Sequence, residues 1–118
     1  MKNLEVDEIL EYYDVPQLFT AIDEYGQRYV CLLYGISGDG EMKMVGVEVS
    51  GMRLMGFLYG DIDLLSMFVN PETGYHTVDV FKTDSGELCA EVRRSPLEDY
   101  MLPDEGYFYK ENKDEEGV

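Results

Sequence analysis

The chain has 118 residues, with 25 acidic against 9 basic side chains and a formal net charge of −16, and its length is that of one domain. The charge excludes the Lys/Arg footprint that nucleic acid or an anionic membrane surface requires. A content of 45% hydrophobic and 13% aromatic residues excludes a chain too polar to form a core.

The acids gather toward the ends, while residues 25–60 carry as many bases as acids. The opening segment, Val6 to Val15, is read as a strand, since Tyr12-Tyr13 before Asp14-Val15-Pro16 suits an extended run, although Ile9, Leu10 and Tyr13 also fit a helical stripe. Leu18 to Ile22, Arg28 to Ile36 and Met42 to Val49 read as further strands, separated by turn clusters that end in Gly26 and Gly40. Residues 29–35 are apolar without alternation, the mark of a strand covered on both faces.

Ser50 is a candidate N-cap for a helix over Met52 to Tyr59, with Gly60 at its end. Asp61 is the expected cap of a second helix, Ile62 to Phe68, closed by Asn70-Pro71. Tyr75 to Phe81 and Glu87 to Arg93 flank a third turn ending in Gly86; Val78 and Val80 alternate with Thr77 and Asp79, as in a strand with one wet face. Ser95-Pro96-Leu97-Glu98 has the form of a capping box, with Pro103 limiting its helix to a short one. The expected fold is α+β: a bent antiparallel sheet of five to six strands approaching a barrel, with the 50–69 helices over one end or face. One globular domain spans 1–110, and 111–118 read as a disordered acidic tail.

Chemistry-bearing groupings are sparse. The lone His76 sits on an expected strand without a second His, where a satisfied structural role outweighs catalysis. Gly35 and Gly40 have the outer spacing of a phosphate loop, but Glu41-Met42 stand where Lys and Ser/Thr are needed. Asp61-Ile62-Asp63 resembles the start of a calcium loop that no further ligands continue, and helix capping accounts for it more simply. No catalytic, cofactor or metal-binding residues are assigned. Cys31 and Cys89 read as two buried, reduced thiols. Met1 to Glu5 runs into acidic residues with no apolar stretch behind a basic start, and the apolar run Tyr29 to Gly35 is far below the roughly 20 residues of a membrane helix. The expectation is a cytoplasmic protein that binds neither membrane nor nucleic acid directly.

The Met52–Tyr59 segment is apolar nearly all round, interrupted by Arg53 and Gly56. Such a helix either plugs a half-open barrel or presents a contact surface. Met52, Met55, Phe57 and Tyr59 are therefore the candidate partner-contact residues.

Three runs resemble a family of small acidic bacterial proteins of unknown function: Glu11-Tyr12-Tyr13-Asp14-Val15-Pro16-Gln17-Leu18-Phe19-Thr20-Ala21, Tyr29-Val30-Cys31-Leu32-Leu33 and Gly60-Asp61-Ile62-Asp63-Leu64. The resemblance spans roughly residues 8–70. It implies a bacterial or phage-like cytoplasmic origin and carries no activity or site.

Three functional readings follow. The first is a non-catalytic interaction module, antitoxin-, immunity- or inhibitor-like, binding a basic protein partner; DNA mimicry is its special case. The second is a homodimeric regulatory or accessory domain joined through the 52–59 helix. The third is a small-molecule binder or enzyme with a pocket between sheet and helix.

Overall fold

The computed structural model describes residues 1–109; the acidic tail expected over 111–118 lies outside the described residues. Six strands run in chain order: β1 Lys2–Tyr13, β2 Val15–Asp23, β3 Arg28–Ile36, β4 Met42–Val49, β5 Thr77–Lys82 and β6 Leu88–Val92. Every neighbouring pair is antiparallel, and β6 returns to β1 to close a barrel. Two short helices, α1 Gly51–Leu58 and α2 Leu64–Val69, are inserted between β4 and β5. The sheet is thus one closed meander.

Alternation along the strands sorts the apolar residues into two cores. Phe19, Ala21, Tyr29, Cys31, Met44, Val78 and Val80 point into the barrel with Leu4 and Ala90. The opposite phase of β2–β4, including Leu18, Val30, Val45, Val47 and Val49, points outward and is covered by Leu54, Phe57, Leu64, Met67 and Phe68 of the helices. This explains why β3 and β4 are apolar without alternation: each has one face in the barrel and one under the helices. Of the two placements expected for the helices, over one end or over one face, the structure shows the face: they lie on the barrel's outer wall.

The barrel interior is narrow. A Cβ added at Gly46 would come within 3.1 Å of a methyl on both Val78 and Val80 and 3.3 Å of the Cys31 sulfur. Glycine here suits the packing: a β-carbon would press on three side chains, which would have to give by a few tenths of an ångström.

Ser50 caps α1 as its sequence position implies, accepting from the Arg53 backbone N–H at 3.1 Å. Its own hydroxyl donates to Glu72 Oε2 at 2.7 Å, and Arg53 Nη2 donates to the Ser66 and Asn70 carbonyls, joining the two helices. The second helix starts two residues later than expected. The Asp61 backbone N–H still closes the end of α1 onto the Gly56 carbonyl, and Asp63 is the cap, accepting from the Ser66 N–H at 3.1 Å and from the Gly106 N–H at 3.0 Å. The Ser66 side chain foremost, and then the Gly106 N–H, hold the Asp63 carboxyl below its ordinary value. The Ser95 capping box forms no α-helix. Its hydroxyl and carbonyl accept from Arg93, itself paired with Asp79, and helical structure is limited to a 3-10 turn at Asp99–Met101.

Two substitutions test this packing. Gly46→Ala is expected to destabilise the fold by about 1–3 kcal/mol in denaturant titration, since the stiff β-branched neighbours cannot rotate away. Among the described residues the Tyr107 hydroxyl is buried without a hydrogen-bond partner, so Tyr107→Phe is expected to leave stability unchanged or raise it by about 1 kcal/mol in the same titration.

Candidate functional site

The two ends of the barrel differ in chemistry. At one end the inward positions turn polar: Lys2 precedes Leu4 on β1, Asp23 follows Ala21 on β2, and Glu48 pairs with Tyr29 across β4 and β3. Asp23 is buried and accepts from the Tyr29 hydroxyl at 2.7 Å and from the backbone N–H groups of Tyr25 and Gln27 at 2.8 and 3.0 Å. The Lys2 ammonium lies 3.8 Å from its second oxygen. Burial pushes the Asp23 carboxyl up, but the Tyr29 hydroxyl, the two N–H groups and Lys2 together outweigh it and hold the pKa below the ordinary carboxylate value. Tyr29 moves the other way, its phenol pushed up by burial and by the Asp23 carboxylate. The group ties the β2–β3 turn into the barrel end.

His76 stands just ahead of β5. Its backbone N–H and ring Nδ1 lie 2.9 and 3.1 Å from Glu48 Oε1, and the Glu48 N–H donates to the His76 carbonyl at 2.9 Å. This is a latch between β4 and the loop entering β5. The cavity beside Lys2, Tyr29 and Glu48 measures about 60 Å³, water-sized rather than substrate-sized. Among the described residues, no group of three or more His, Cys, Asp or Glu side chains is placed to hold a metal ion.

The opposite end is an open mouth with a cavity of about 470 Å³, within the range of small-molecule sites. Leu4, Phe19 and Met44 form its buried floor, with Met42 and Leu88 half-buried above them. Asn3, Glu5, Lys82 and Glu87 lie around the rim. The pocket is at the barrel end, not between sheet and helix as the third sequence reading expected. Beside the mouth, β1 outruns β6. Only Lys2–Leu4 pair with Leu88–Ala90, so from Glu5 to Tyr13 the edge of β1 facing β6 has no strand partner among the described residues. Val6, Ile9, Tyr12 and Tyr13 are exposed there.

The candidate contact residues on α1 are divided. Met52, Met55 and Tyr59 are exposed, at 85%, 45% and 64%, whereas Phe57 is fully buried and stacks on Tyr109 with ring centroids 5.9 Å apart. The segment's two apolar faces thus have different fates, one packed on β4 and one facing solvent.

A sequence profile for a family of unknown function, DUF6575, matches residues 1–115. The chain belongs to that family. The match extends well beyond the 8–70 stretch on which the sequence resemblance rests, taking in the β5–β6 closure and the C-terminal segment. No curated protein and no solved structure matches the chain. For this DUF6575 chain the geometry alone must point to a site.

The mouth and the free edge are what sequence reading missed. Both are made where strands from distant parts of the chain end at different heights, a property of register. One signal was present: Lys82 continues the inward phase of Val78 and Val80, a charged side chain in step with apolar ones.

The polar end yields a pH prediction. Because the folded Asp23 pKa is depressed, its stabilisation is full above the unfolded carboxyl value, near 3.9, and is lost as pH falls through the folded value. Asp23→Asn is expected to cost about 1–3 kcal/mol at neutral pH by leaving donors poorly matched, and this gap should close below about pH 3 in urea titrations at stepped pH.

Proposed function

We propose that this protein is a non-catalytic interaction module, antitoxin-, immunity- or inhibitor-like in kind, that docks a basic protein segment along the free edge of β1. The observation that carries the reading is that edge itself. An unpartnered strand edge offers a ladder of backbone donors and acceptors to an extended chain, and this one carries Glu5, Asp7, Glu8 and Glu11 within seven positions. Asp7 lies 3.8 Å from Arg28; Glu5, Glu8 and Glu11 have no ion pair among the described residues.

Charge selects the occupant. A second copy pairing on this edge would set carboxylates against carboxylates, whereas a lysine- or arginine-bearing strand is attracted and steered. The register breaks at Val6/Glu8, Ile9/Glu11 and Glu11/Tyr12 twist the edge away from flat self-pairing. The reading places the protein in the bacterial cytoplasm, which suits the free, buried Cys31 and Cys89 thiols. Among the described residues, no helix is long and apolar enough to cross a membrane. A second reading, a homodimer through α1, draws on the exposure of Met52 and Tyr59.

A synthetic peptide alternating lysine and valine tests the first reading. It should shift the backbone amide resonances of residues 5–13, with affinity that falls as salt rises, and replacing Glu5, Glu8 and Glu11 together by Lys should weaken it at least about tenfold. Shifts confined to α1, or binding indifferent to salt and to the triple substitution, would overturn it.

A further inference from the structure

We propose that the barrel mouth is a binding site for a small amphiphilic anion, an alkyl chain of medium length carrying one carboxylate-like head. The cavity shares Glu5 and Val6 with the start of the free β1 edge and is otherwise built from the paired start of β1 and from other strands and turns of the barrel.

The floor fixes the nature of the ligand body. Leu4, Phe19, Met44 and Leu88 belong to the barrel core and also line the 470 Å³ cavity, so a molecule entering the mouth continues the hydrophobic core. The two methionines, Met42 and Met44, give that surface side chains able to re-pack around a flexible chain. Nothing on the floor offers a polar group to a sugar or nucleobase, which excludes those classes on desolvation grounds.

The head group follows from strand phase. Directly paired residues of an antiparallel ladder share one face of the sheet. Lys82 is paired with Leu88 and follows Val78 and Val80 at two-residue spacing, which places it on the inward face at the rim. Glu5 is paired with Ile22, while the inward Val6 pairs with Ala21, so Glu5 comes off the outer face. Glu87 lies outside the strand, in the β5–β6 turn, its backbone bonded to Thr83. Lys82 is therefore the charged residue in phase with the apolar floor, and it makes no ion pair among the described residues. A chain lying on the floor brings its terminal carboxylate to that ammonium. Glu5 and Glu87 also line the mouth, so the ligand's head must sit on the Lys82 side of the rim; acids farther away are screened over about 8 Å at physiological ionic strength.

The test uses the full chain, isotope-labelled, titrated with octanoate while amide and methyl resonances are followed. Octanoate should shift Phe19, Met44 and Leu88. Hexanoate, shorter by two methylenes, should bind about fifteenfold more weakly, from about 0.8 kcal/mol or fourfold per methylene. Lys82→Gln should weaken octanoate about threefold and leave octanol unchanged. Val6→Trp, made at an exposed position on the rim, should block both ligands while the spectrum stays folded. Absence of mouth shifts at about 1 mM octanoate, or their persistence in Val6→Trp, would overturn the site. Equal binding of octanol and octanoate that Lys82→Gln does not alter would overturn the anionic class.

Discussion

The outer wall of β2–β4 is the surface on which the rest of the molecule depends. A barrel of six strands has little room inside: at Gly46 even a methyl group would crowd Val78, Val80 and Cys31. The interior alone holds Phe19, Tyr29, Met44 and a set of small residues, and the larger share of aliphatic bulk is accommodated on the outside, where Val30, Val45, Val47 and Val49 meet the helices. Burial at roughly 25 cal/mol per Å² makes both layers matter for a chain of this size. The helices are therefore a second core layer, and their insertion between β4 and β5 sets them on the wall that β4 helps to form.

What could be read from the sequence follows from how local each cause is. The bounds of β3 and β4, the Ser50 cap and the turns ending in Gly26, Gly40 and Gly86 depend on a few adjacent residues, and the structure agrees with them. The continuous apolar character of 29–35 correctly implied cover on both sides. Errors arose where a local signal had a competing tertiary partner. Ser95 was committed to Arg93, and Asp61 was still closing α1, leaving Asp63 free to cap α2 and to hold Gly106. Neither competitor lies next to its residue in a way that spacing reveals. The candidate site was still less legible, because strand lengths decide it: β1 has twelve residues and β6 five, and the difference leaves both an unpaired edge and an open mouth. Phe57 shows the limit on a single helix, since no property of the segment distinguishes its buried face from the face bearing Met52.

The two barrel ends divide the labour. One end is locked by Asp23 with Tyr29 and Lys2 and by Glu48 with His76, a dense set of bonds. The other end has apolar walls, a single inward cation and a strand that continues past its neighbour. Rigidity at one end and unsatisfied surface at the other is the arrangement expected of a scaffold that binds by presenting a preformed surface. The excess of negative charge then has a specific place: its part along β1 lies beside the mouth, while the helix-covered wall stays nearly neutral.

The closure of β1 on β6 also shapes how the chain reaches this state. Every other pairing joins strands that follow one another in the chain, four of them through short turns and β4 to β5 across the two helices. The final seam joins Asn3 to Cys89, 86 positions apart, through three residue pairs. Bringing such distant segments together carries an entropic cost of about 4 kcal/mol beyond a constant term, set against few hydrogen bonds and the burial of Leu4. The seam is thus the longest-range pairing of the sheet, the kind of contact that raises contact order.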